Sequence, residues 1–240
     1  MPILTVLFDG IALGFLLFLI SVGLSVTLGL MNFVNLAHGA FAMLGGYLCV
    51  FLLGHTSLPF LATLPIAAAV CAGAGVLLER TLYRRLYGAS PLDQVLFSLG
   101  LVFVAMAAAQ YFFGAQQQPL QLPPALTGQI HGPGGIDIGV YRLFLIAIGL
   151  VLTAVLQWMV KATRFGAQLR ASVDQPHIAR GMGIDVDRIF LLTFALGCGL
   201  AGLGGALGVE MLGLDPGFAL KYIVYFLIVA TVGGRGSIAG

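Results

Sequence analysis

The chain has 240 residues, of which 60% are apolar and only 8% charged, with a formal net charge of +2. A soluble domain carries about 25% charged residues, so this composition excludes a water-soluble globular protein. The small, dispersed positive balance leaves no basic footprint for nucleic acid.

A helix needs about 20 apolar residues to cross the hydrocarbon layer, and from Gly10 to Leu78 there is no Asp, Glu, Lys or Arg. That stretch has room for three crossings. The first segment, MPILTVLFDG, lacks the basic start of a secretory signal and is interrupted by Asp9, so it is read as retained. Predicted membrane helices follow at Ile11–Leu30, Val34–Leu53, Leu58–Leu78, Leu92–Phe113, Val140–Val160, Ile189–Val209 and Phe218–Val232. The fold class is therefore all-α, a polytopic bundle of about seven transmembrane segments. The bilayer forces that choice, because backbone polar groups must be satisfied internally and the runs are too continuous for barrel strands.

Within Met31–Gly46, Asn32, Asn35 and His38 interrupt apolar sequence at intervals of three. Such spacing lines one helix face, and polar groups on that face avoid lipid. A broken or re-entrant helix bordering a translocation pathway is one reading. The other is a structural turn in which Asn caps a helix and His38 bonds a carbonyl.

Arg80, Arg84 and Arg85 mark one inside loop, and Lys161, Arg164, Arg170, Arg180 and Arg188 a second, since basic residues collect in cytoplasmic loops. The Gln- and Pro-rich segment 114–139 reads as an exposed loop on the other side, together with the turn holding Glu210 and Asp215. Counting crossings back puts the N-terminus outside. Trp158, Tyr83 and Tyr87 then fall at the inner boundary, and Tyr111, Phe112, Phe113 and Tyr141 at the outer, as aromatic belts do, ordinary core aromatics being the alternative reading.

The inside segment 161–188 has ordered signals. Asp174 is placed to cap a helix, Pro176 falls in its first turn, Arg180 suits its C-terminal end and Gly183 stops it. Asp185 is placed to cap the next membrane helix. Ile178 and Met182, four apart, put an apolar stripe on the short helix, suited to a partner's groove. Anionic membrane lipid is the alternative surface, for which its charge is low.

Further on, Gly197, Ala201 and Gly205 recur at helix spacing, with Gly204 and Gly208 on an adjoining face, allowing close helix approach. Cys49, Cys71 and Cys198 stand singly in apolar runs and read as reduced packing residues. The end, TVGGRGSIAG, reads as a flexible helix break and not as a phosphate loop. No P-loop, HExxH, GxSxG or intramembrane carboxylate pair is visible, so no cofactor, metal or enzymatic activity is expected, and energy for transport is expected from another subunit.

The segments NFVNLAHGAFAMLGGY (Asn32–Tyr47), RFGAQLRASVDQPHIARGMGIDVDRI (Arg164–Ile189), LTFALGCGLAGLGGALG and the terminal VGGRGSIAG together resemble the permease subunits of branched-chain amino acid ABC transporters, the LivH type. Urea and short-chain amide permeases are close relatives. The resemblance covers nearly the whole chain as one permease domain, residues 1–240, in the bacterial inner membrane, with 114–139 periplasmic and 161–188 cytoplasmic. It implies two permeases, identical or homologous, forming a pore fed by a periplasmic binding protein and driven by two cytoplasmic ATPase subunits. It also assigns ATPase coupling to Arg164, Gly166, Arg170, Ala171, Asp174, Ala179, Gly183 and Ile184. Two departures stand out: Ala40 where some relatives have an acidic residue, and an end at Gly240 where family members usually continue with a further helix, which implies a shortened chain. A channel or facilitator for a small neutral solute such as urea is the alternative function, motivated by the scarcity of intramembrane charge, and a membrane scaffold a third.

Overall fold

The computed structural model describes residues 3–31, 35–86, 88–132 and 136–232. In chain order these form α1 (Ile3–Met31), α2 (His38–His55), α3 (Phe60–Thr81), a 3-10 turn (Tyr83–Leu86), α4 (Pro91–Phe113), β1 (Gln129–Gly132), β2 (Ile136–Gly139), α5 (Val140–Ala162), α6 (Arg164–Asp174), α7 (Pro176–Gly181), α8 (Val186–Leu212), α9 (Phe218–Lys221) and α10 (Ile223–Val232). Among the described residues six helices are long and apolar enough to cross a membrane, and the expected seventh is a shorter apolar stretch, Phe218–Val232, broken into α9 and α10.

The bundle is built around α8. Over its most apolar 18 residues 67% of α8 is buried, against 17% over the corresponding stretches of α4 and of α5, so α8 is the axis and those two are the periphery. Helices α1, α2 and α3 pack directly against it. Lipid tails are as apolar as Leu, so close van der Waals packing, not water exclusion, holds such helices together. Small residues supply it. A Cβ on Gly205 would run into the backbone of Ala42 in α2, one on Gly45 into that of Gly202, and one on Gly23 into that of Gly197. The spacing Gly197–Ala201–Gly205 suggested one seam, but the structure divides it, with Gly197 facing α1 and Gly205 facing α2. A helix surrounded by three neighbours needs small residues on every side, which a single stripe cannot supply.

Aromatic residues fill what the glycines leave. Phe41 meets Phe194 edge-on at 6.3 Å, and Tyr83 lies 5.0 Å from Phe194. Of the residues expected at the membrane boundaries, Trp158, Tyr111 and Phe112 are exposed. Tyr83 and Tyr141 are instead buried, because each hydroxyl finds an internal acceptor: Tyr83 donates to Asn35 Oδ1 at 2.9 Å and Tyr141 to the Leu207 carbonyl at 2.6 Å. Phe113 packs on Tyr47, with ring centroids 4.5 Å apart. The three cysteines are free and buried.

The two ends of the bundle are distinct. At one, Asp187 on α8 pairs with Arg84 from the loop after α3 and with Arg180 of α7, so both basic loops share an end. At the other, Asp9 of α1 pairs with Arg142 of α5 at 2.9 Å, and the Gln118 N–H donates to the Leu214 carbonyl at 2.8 Å. Segment 114–139 is not wholly loop, since β1 and β2 pair antiparallel, Gln129 opposite Gly139 and Ile130 opposite Ile138.

Candidate functional site

The best-defined surface is α6–α7 at the basic end. Helix α5 stops at Ala162, and Thr163, in an extended conformation, turns the chain. Its hydroxyl donates to the Met159 carbonyl at 2.5 Å and accepts from the Gly166 N–H at 3.2 Å, closing α5 and capping α6 with one side chain. Gly166 is required by this turn, because a Cβ there would collide with the Val160 and Met159 carbonyls. Arg170 donates from Nη1 to the Val160 carbonyl, a cation at the negative end of α5. Leu169 and Ser172 turn inward, while Arg164, Gln168, Arg170 and Asp174 face out.

Helix α7 has six residues and opens on Pro176 as expected. Its N-cap is Gln175, not Asp174, which closes α6 instead; the break falls one residue later because α6 continues through the expected cap position. Gly183 ends the helix in the left-handed region (φ 83°), where only glycine is unstrained, and the Ile184 N–H returns to the Ala179 carbonyl at 3.0 Å. Asp185 caps α8 as expected, its Oδ1 accepting from the Arg188 N–H at 3.0 Å. Ala179 is buried beneath the helix, so Ile178 and Met182 are turned outward, 58% and 76% exposed.

The eight residues assigned to coupling therefore divide. Gly166, Ala179 and Gly183 shape the segment, Arg164, Arg170 and Asp174 are its exposed charges, and Ala171 and Ile184 are half-buried. Beside them, Asp187 accepts from Arg84 at 3.2 Å and Arg180 at 3.1 Å, at the rim of a cleft of about 830 Å³ lined also by Glu79, Arg80 and Arg188. Sequence reasoning missed Thr163 and the Asp187 link. A Thr immediately before an amphipathic run signals the first; nothing local signals the second.

The polar residues between α1 and α2 are in the core. Asn32 lies outside the described residues. Asn35 is not helical; its Oδ1 accepts from the Ala37 N–H at 3.1 Å as well as from Tyr83, so α2 begins only at His38. The expected shared helix face is thereby corrected for Asn35 and His38, and α2 is of spanning length, not a short re-entrant segment. His38 Nε2 bonds the Ile20 carbonyl at 2.7 Å. Burial, and less strongly Cys198, raises the Tyr83 hydroxyl above its ordinary pKa, keeping it a donor. Asn35 Nδ2, His38 Nδ1 and Ser21 Oγ are buried without a hydrogen-bond partner among the described residues. No group of metal-binding side chains occurs among the described residues.

Comparison with known proteins places these features. The family described as branched-chain amino acid transport system / permease component matches residues 6–240. The high-affinity branched-chain amino acid transport system permease protein BraD of Pseudomonas aeruginosa is 25% identical over 98% of this chain and 80% of its own. The corresponding LivH protein of Salmonella typhimurium is 26% identical over the same shares. The probable branched-chain amino acid transport permease protein LivH of Methanocaldococcus jannaschii is 28% identical over 94% of this chain and 72% of its own. No solved structure matches.

Proposed function

The chain belongs to the branched-chain amino acid transport system permease family, and from that premise we propose that it is the pore-forming subunit of an ATP-driven importer of branched-chain amino acids. It is a transport permease component, not an enzyme. The observation that carries the reading is the family match across residues 6–240. The membrane is the bacterial inner membrane, residues 1–240 form one permease domain, and the partners are cytoplasmic ATPase subunits, a second permease and a periplasmic binding protein.

The basic end faces the cytoplasm and the N-terminus lies outside, which the Arg and Lys distribution supports. An ATPase groove receives α7, supported by the outward-facing Ile178 on the helix and Met182 at its C-cap. Arg164, Gly166, Arg170, Ala171, Asp174, Ala179, Gly183 and Ile184 form and flank that contact. Asn32, Asn35 and His38 border the solute route, supported by Asn35 Nδ2 and His38 Nδ1, which have no hydrogen-bond partner among the described residues. Proteoliposomes carrying this chain with its partner subunits should accumulate leucine only with both ATP and binding protein present. Uptake indifferent to either, or flux through the chain alone, would overturn the reading.

A further inference from the structure

The end of the bundle opposite α7 carries a cleft of about 250 Å³ lined by Arg142 and Glu210 together with Leu122, Leu126 and Met211. Drug-sized ligands take pockets from about 300 Å³ upward, so this one suits a single small metabolite. Its walls are held in place. The Tyr141 hydroxyl donates to the Leu207 carbonyl at 2.6 Å, tying the first turn of α5 to the last turns of α8, and the Val140 N–H donates to the Gly128 carbonyl at 3.0 Å, fixing the approach of the loop. Arg142 and Glu210 thus belong to elements locked together next to them in the chain.

Both charges stand at the ends of their helices that disfavour them. Arg142 is in the first turn of α5, at the positive end, and Glu210 in the last turns of α8, at the negative end, with no basic residue in that turn. Asp9 offsets the first through Nε of Arg142, leaving the Nη groups of a five-donor guanidinium without an ion-pair partner among the described residues. Glu210 has no ion-pair partner among the described residues. Residues placed against local electrostatics are where function is expected to override stability.

We propose that this cleft is a binding site for a free α-amino acid in its zwitterionic form: Arg142 takes the carboxylate, Glu210 the ammonium, and Leu122, Leu126 and Met211 an aliphatic side chain. The inference rests on the importer reading above and deepens it, because a neutral amide or urea uses neither charge.

The test is equilibrium binding of radiolabelled L-leucine to the purified full chain in nanodiscs. Saturable binding is expected, competed by unlabelled leucine but not by isoamylamine, 4-methylvalerate or 4-methylvaleramide, which lack one or both charges. Glu210→Gln is expected to weaken binding at least tenfold while the protein elutes unchanged from a sizing column. Absence of saturable binding, equal competition by the amide, or unchanged affinity in Glu210→Gln overturns the proposal. The analogue series needs no variant, so the test stands even if Glu210→Gln misfolds. Leucine uptake by the complete complex separates the two failures: uptake without binding to the chain overturns the cleft alone, and no uptake at all overturns the importer reading.

Discussion

Around α8 the protein is defined by side chains that are missing; at α6–α7 it is defined by side chains that protrude. Gly205 against Ala42, Gly45 against Gly202 and Gly23 against Gly197 bring backbones so close that a methyl group has no place to go. By contrast, Ile178 on α7 and Met182 at its C-cap are exposed. Close-packed interiors tolerate little added volume, whereas exposed side chains contribute little to the fold that carries them. Substitutions in the two regions should therefore fail in different ways, the first in folding and the second in the proposed partner contact.

The sharpest break of that contrast is Gly205→Leu, which drives a side chain into the α2 backbone. It should cost about 3 kcal/mol or more, seen as loss of the monodisperse species on solubilisation; a well-folded variant with an unchanged unfolding midpoint would remove the packing argument. Next is Ile178→Glu combined with Met182→Glu. If these are interface anchors, each is worth about 2 kcal/mol in binding, and affinity for the ATPase subunit should fall at least tenfold, with the isolated chain's unfolding midpoint unmoved.

Smaller effects sharpen it further. Tyr83→Phe removes a buried donor from Asn35 and should cost about 1–2 kcal/mol in thermal unfolding. Thr163→Ala removes the cap shared by α5 and α6, worth about 1 kcal/mol, and should reduce ATPase coupling more than global stability. Smallest is Asp187→Asn: its pairs with Arg84 and Arg180 are more than half exposed, where such bridges contribute about 0–1 kcal/mol. A shift that persists undiminished in high salt would show that the link is not electrostatic.

The same contrast explains what could be read from the chain alone. Uncharged runs long enough for the bilayer locate helices by composition, and caps such as Asp185, Pro176 and the Gly183 stop are local signals. Pairings across the bundle are not. Nothing near Tyr83 announces that its hydroxyl meets Asn35, 48 positions away, so an aromatic beside a basic loop reads as a belt residue. The three polar residues at intervals of three pointed to one helix face, yet Asn35 spends its Oδ1 on the Ala37 N–H and breaks the helix there. Asp174 was misplaced for a related reason, because two short helices share the segment where the pattern suggested one. The β1–β2 hairpin was hidden by the Pro and Gly content of its surroundings.

Gly202 has a mechanical consequence. Gly45 of α2 abuts it on one side, and a Cβ built on it would strike Cys71 of α3 on another. Volume added at that level of α8 meets α2 and α3 at once, so one residue without a side chain sets the spacing of three helices.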